Sequence, residues 1–263
     1  MEYSFEHGIA DCGHEGIAPI LAVGHRVTER DFVERNLTGI RGISISQRGL
    51  SKGTRWKDLN LSYLYARLPG IEYLRILFDD PISLDAFGPM PSLRYLVVDC
   101  PTVRHTLQGE MPNLRTAHLR WPDRCTSSML APSLETLTLI RPRSENLNFL
   151  GHLPSLRTLD IHYSRALQSL EGLQSLRALN HLGLHDCSNF TALDILGPVA
   201  GPAQLVIDGC TKFVDGTGAE RLSSLRKLCV FRGERGPREI RLPQRLQERS
   251  IELDLRGVSA QWT

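Results

Sequence analysis

Two groups of residues carry side chains whose types could do chemistry. Near the start, HGIADCGHEGIAPILAVGH collects His7, Asp11, Cys12, His14, Glu15 and His25. Such residues can bind zinc. A closed zinc site draws on paired Cys and His, and a metalloprotease helix carries HExxH; this segment has a single Cys and neither spacing. A polar capping loop is the better reading, and no metal is expected there. The second group is His162, His185 and Asp208, which occupy equivalent places in a recurring pattern. Two neighbouring imidazoles could grip a metal or resist joint protonation near pH 6, but no Ser or Cys nucleophile stands beside them at a recognisable spacing. Hydrogen-bonding surface side chains are the expected role. A P-loop, a GxGxxG turn, a GxSxG elbow and an HxE plus PCxxC pair are all missing from the sequence. We therefore expect no enzyme and no cofactor.

The pattern that positions these residues is a repeat. MPSLRYLVVDC from Met90 returns as MPNLRTAHLRW from Met111, APSLETLTLIR from Ala131, LPSLRTLDIHY from Leu153 and LSSLRKLCVFR from Leu222. Aligned on LxxLxL, the first positions are Ile71, Leu93, Leu114, Leu134, Leu156, Leu179, Pro202, Leu225 and Ser250, spaced by 20 to 25 residues, with an irregular earlier copy at Ile40. The LxL portion has the period of two that sends alternate side chains to opposite faces of a strand. One such rung cannot bury its leucines alone, whereas stacked rungs share a continuous apolar interior. About a dozen residues remain for each return segment, enough for a 3₁₀ turn or a short helix. SLDAFGPM, NLNFLGHL, SLEGLQSL and ALDILGPV bring further inward leucines to those returns.

Over residues 40 to 255 this pattern resembles the leucine-rich-repeat family, whose motif continues to an Asn or Cys at the ninth position. Cys187 and Cys210 fall on that place, Cys100 lies one residue early, and Pro122, Pro142 and Ser164 replace it elsewhere. The resemblance implies an α/β repeat: a leucine-rich-repeat solenoid, a horseshoe or arc, with a parallel sheet on its concave face and an irregular, 3₁₀ or short-helical convex side. We expect one domain, with residues 1–39 as an N-terminal cap, 40–247 as repeats, and 248–263 as a last strand and C-terminal cap. TERDFVERNL should form a short helix capped by Thr28, and Val258 and Trp262 should close the far end of the core.

Composition narrows the partners. The formal net charge is +2, and Arg and Lys are interspersed with Asp and Glu, so no basic block tracks a phosphate backbone and nucleic acid is not expected. Residues 1–30 hold no positive region followed by a long apolar run, and no stretch is long enough to span a bilayer. The expectation is a cytoplasmic chain, monomeric when free, with its six widely spaced cysteines reduced.

The x positions of LxxLxL must point away from the leucines. These positions and the strand exits just after them gather aromatic, His and Arg side chains that often dominate protein interfaces. The candidate partner-binding residues are Tyr73, Tyr95, His118, Arg120, Trp121, Arg141, Asp160, His162, Tyr163, His181, His185 and Asp186. A half-exposed strand favours Tyr and Thr in any case, and Arg115, Glu135 and Arg157 could simply form a charge ladder. The resemblance implies a non-catalytic protein-binding module that occludes its partner, similar to bacterial immunity proteins that neutralise a toxin. The alternatives are a signalling or assembly scaffold and, less favoured, a metal-dependent enzyme using the N-terminal Cys/His cluster.

Overall fold

A computed structural model describes residues 9–10, 20–23, 39–46, 70–80, 89–100, 111–120, 130–151, 153–193 and 199–263. The Cys12 and His14 cluster, the Thr28 helix and Trp121 lie outside them. Contacts divide the chain near Arg120 into two compact units.

In the first unit the alternating apolar residues form β1 (Ile9–Ala10), β2 (Ile20–Val23), β3 (Gly42–Ser46), β4 (Tyr73–Leu77), β5 (Tyr95–Asp99) and β6 (Thr116–Arg120). From β2 onward the neighbours pair in parallel and in register, so that Ile43, Leu74, Leu96 and Ala117 form one row and Ile45, Ile76, Val98 and Leu119 the next. Those side chains are buried, and each fully buried aliphatic side chain stabilises by about 2 kcal/mol. The ladder begins earlier than the repeat suggests. Within residues 1–39, β2 already pairs parallel with β3, matching Leu21 to Ile43 and Val23 to Ile45. β1 then pairs antiparallel with β2 and breaks the parallel series.

The second unit repeats the arrangement in β7 (Thr136–Ile140), β8 (Thr158–His162), β9 (His181–His185), β10 (Gln204–Asp208) and β11 (Lys227–Phe231). β12 (Glu239–Leu242) follows, then β13 (Glu252–Arg256), which pairs parallel with β11, and β14 (Ser259–Trp262). Behind this ladder, return-segment leucines 147, 150, 153, 170, 173 and 176 are buried. Short 3₁₀ turns at Asn148–Leu150, Leu173–Ser175 and Thr217–Arg221 carry the chain round. Phe190 and Phe213 stack in successive returns, ring centroids 5.8 Å apart and planes 6° from parallel. Among the described residues, no helix is long and apolar enough to cross a membrane.

The ninth position works through its donor. The Ser164 hydroxyl donates to the Pro142 carbonyl at 2.9 Å, one rung back. The thiols of Cys187 and Cys210 do the same to Ile161 and Leu184 at 3.7 and 3.6 Å. All described cysteines are buried free thiols, and burial pushes the Cys100 thiol up to about 12. Burial withdraws all four from reaction at the surface.

The carboxyl-terminal region is richer than the single last strand expected within residues 248–263. β12 and β14 form a second, parallel pair, with Leu242 opposite Trp262. The isolated bridges Ala192–Asp215 and Asp215–Arg241 extend that pairing along the returns. Trp262 is only half-buried. A four-residue α-helix, Arg245–Glu248, turns the chain into β13. Just after it, the Arg249 guanidinium donates to the carbonyls of Leu222, Ser223, Leu225 and Glu220 at 2.8 to 3.4 Å. Of these return-segment oxygens only that of Leu222 also accepts a backbone amide, from Leu225 at 3.2 Å, and charged hydrogen bonds of this kind contribute about 2 kcal/mol together once exposure is discounted. Arg249→Ala is therefore expected to lower unfolding free energy by about 2 kcal/mol in urea titrations, with Arg249→Lys recovering little because one ammonium cannot fork to the same carbonyls.

Candidate functional site

The outward face of the second unit is built by register. Parallel pairing sets Thr158, His181 and Gln204 in one row, Asp160, Gly183 and Val206 in the next, and His162, His185 and Asp208 in the third. Rungs spaced by about 4.8 Å would bring Asp160 against the side chain of its neighbour, but that neighbour is a glycine. A Cβ on Gly183 would lie 2.1 Å from Asp160 Oδ1 and 2.7 Å from His185 Nε2. Asp160 fills this space and sits between the two histidines that flank Gly183 on the same face. His181 Nε2 approaches Asp160 Oδ1 at 3.3 Å as a hydrogen bond, and His185 Nε2 approaches it at 3.6 Å as an ion pair.

His185 is held from three sides. Its Nδ1 lies 3.6 Å from Asp208 Oδ2, and the His162 ring stacks on it with centroids 4.4 Å apart and planes 10° from parallel. The three residues singled out as equivalent are thus brought together. The carboxylate that ties the cluster is nevertheless Asp160, which also recruits His181. The signal lay in HLGLH: a glycine between two same-face histidines leaves room for a cross-strand side chain.

These contacts set the charge states. Burial alone would raise the Asp160 carboxyl, but the contacts with His181 and His185 outweigh it and hold the group well below the usual carboxylate range. The Asp160 hydrogen bond raises His181 against a smaller opposing effect of burial. Asp160, and then Asp208, raise His185 in the same way. No group of three or more His, Cys, Asp or Glu that could hold a metal ion occurs among the described residues.

At the strand exits a second column appears. Arg141, Tyr163 and Asp186 each directly follow their strand with φ of 56°, 58° and 53°, and Gly209 takes the fourth place at 65°. Each donates its amide to the last carbonyl of the next strand, at 2.8 to 3.1 Å. Tyr163 is 52% exposed, and its ring lies 6.1 Å from His162, tilted by 45°. Asp186 reaches toward Gly209, where a Cβ would meet its Oδ1 at 2.4 Å.

The candidates of the first unit form a separate set. Tyr73 shares the outward row but is withdrawn from the surface: it is 4% exposed, packed by Tyr95 and Val97. The neighbouring β-strand carries an aromatic large enough to cover it. Tyr95 and His118 are half-buried. Arg120 Nη1 lies 3.8 Å from Asp99 Oδ1.

No protein-family model matches the sequence, and no curated protein does. Among solved structures, an internalin, InlF, of Listeria monocytogenes is 16% identical, with a TM-score of 0.50 over 87% of this chain and 64% of that one. Another L. monocytogenes protein, InlP, is 15% identical over 85% of this chain and 62% of that one, with a TM-score of 0.36. The chain spans under two thirds of the length of either. The likeness to InlF agrees with the ladders described above: this is a leucine-rich-repeat fold, a parallel-strand solenoid with few helices.

The titration of the cluster makes stability depend on pH. Raised imidazoles contribute stability in full below their ordinary value of 6.5 and lose it as pH rises through the folded values. A depressed carboxyl contributes in full above 3.8 and loses it as pH falls through its folded value. Urea unfolding of the protein and of Asp160→Asn should therefore differ most between about pH 4 and 6.5, by about 1 kcal/mol. The gap should narrow above and below that window.

Proposed function

We propose that the chain is a non-catalytic protein-binding module that engages its partner through the outward sheet face and the strand exits of the second unit. The observation that carries this reading is the column at the exits. Left-handed backbone costs a residue with a Cβ about 1–2 kcal/mol, and glycine, as at position 209, takes it without that cost. The chain instead keeps Arg141, Tyr163 and Asp186 there. Strain held by a well-determined ladder fits groups retained for what they present.

Tyr and Arg bury much area in a contact while keeping a polar handle, and fixed anchors lose little entropy on binding. Inhibition of the partner would follow by occlusion. In its finer form the partner is a toxin that an immunity protein of this kind neutralises in the cytoplasm.

The test is a pull-down from native-host lysate with the tagged protein beside two variants: Arg141→Ala with Tyr163→Ala, and Arg238→Ala away from the exits. A stoichiometric partner retained by Arg238→Ala, and bound at least about tenfold more weakly by the double variant with circular dichroism unchanged, supports the reading. Equal binding by both variants contradicts it.

A further inference from the structure

The last rung of the second unit differs from those before it. At the LxL places, Leu182, Leu184, Leu205, Ile207, Leu228 and Val230 are at most 4% exposed, whereas Leu253 and Leu255 of β13 are only half-buried, as is Trp262 of β14. β13 pairs with β11 on one side, and β14 with β12 on one side. Neither strand pairs on its other side among the described residues. The Glu252 amide donates to Arg226, and the Arg256 carbonyl accepts from Arg232, so these two β13 residues face β11. The amides and carbonyls of Leu253 and Leu255 therefore point to the open edge.

The sequence of that strand, ELDLR, is nearly complementary to itself when reversed. We propose that the β13 edge, which is separate from the face assigned to partner binding, is the dimer contact of this chain. Two copies join about a two-fold axis through Asp254, their β13 strands antiparallel. This register sets Leu253 opposite Leu255 of the second copy, twice. It matches the outward amides and carbonyls as hydrogen-bonded pairs and covers the half-buried leucines. It also sets Glu252 opposite Arg256 of the second copy, twice.

One pair is unfavourable: Asp254 meets Asp254 of the second copy on the axis. Arg256 Nη2 and Nε, at 3.0 and 3.2 Å from its carboxylate oxygens, screen it within each chain. An isologous contact of this kind joins the two β13 edges to each other and closes as a dimer. It replaces the monomer expected from the sequence.

Sedimentation equilibrium of the full chain over about a hundredfold range of concentration tests this, since mass action makes a dimer concentration-dependent. The expected result is a monomer–dimer equilibrium with two opposed responses. Arg256→Glu places Glu against Glu252 at both ends and should weaken association about tenfold, whereas Asp254→Asn relieves the axial pair and should strengthen it about threefold. Both directions oppose the trend of overall charge. The chain carries a net +2, which Arg256→Glu lowers and Asp254→Asn raises. A monomer at every concentration, or a dimer whose affinity follows net charge instead, overturns the proposal. Circular dichroism confirms that each variant is folded before it is scored.

Discussion

In-register parallel hydrogen bonding between rungs is the constraint on which the rest depends. Within each unit, every LxL pair lies directly over the next, so one row of leucines closes the core and the intervening residues stand in columns on the other face. A slip by one residue would exchange the two faces. The interior is therefore a strong determinant of the surface. Asp160 meets Gly183, and His162 meets His185, because Leu159 and Ile161 must meet Leu182 and Leu184.

The same constraint explains how much could be read in advance. Rung positions, the buried rows and the 3₁₀ returns follow from a period that the residues display openly, as in LPSLRTLDIHY. So did the columns, and with them the meeting of His162, His185 and Asp208. What stayed hidden depends on side-chain reach or on backbone that breaks the motif. The Asp160 contact needs the empty space at Gly183, which is a property of two rungs together. Tyr73 is a face residue by pattern, yet its neighbours cover it. The rung at Ile20–Val23 and the pair of β12 with β14 lack the full LxxLxL pattern, so only their hydrogen bonds reveal them.

Energetically the face is assembled from opposed tendencies. A glycine in a strand interior and left-handed turns at Arg141, Tyr163 and Asp186 each weaken local structure. Neither helps the core. They are tolerated because each sits beside rows that are buried almost completely and ladders that continue past it. The result is a stiff support carrying a compact charged cluster, with long side chains placed at its margin.

The most direct test of this account is a histidine titration by NMR of the protein and of Gly183→Ala. If register places Asp160 over Gly183, a methyl group there must displace the carboxylate. The values of His181 and His185 should then fall toward the ordinary imidazole value of 6.5 while the fold persists. Unchanged titration of both histidines in a folded variant would contradict the alignment of rungs from which the site has been built.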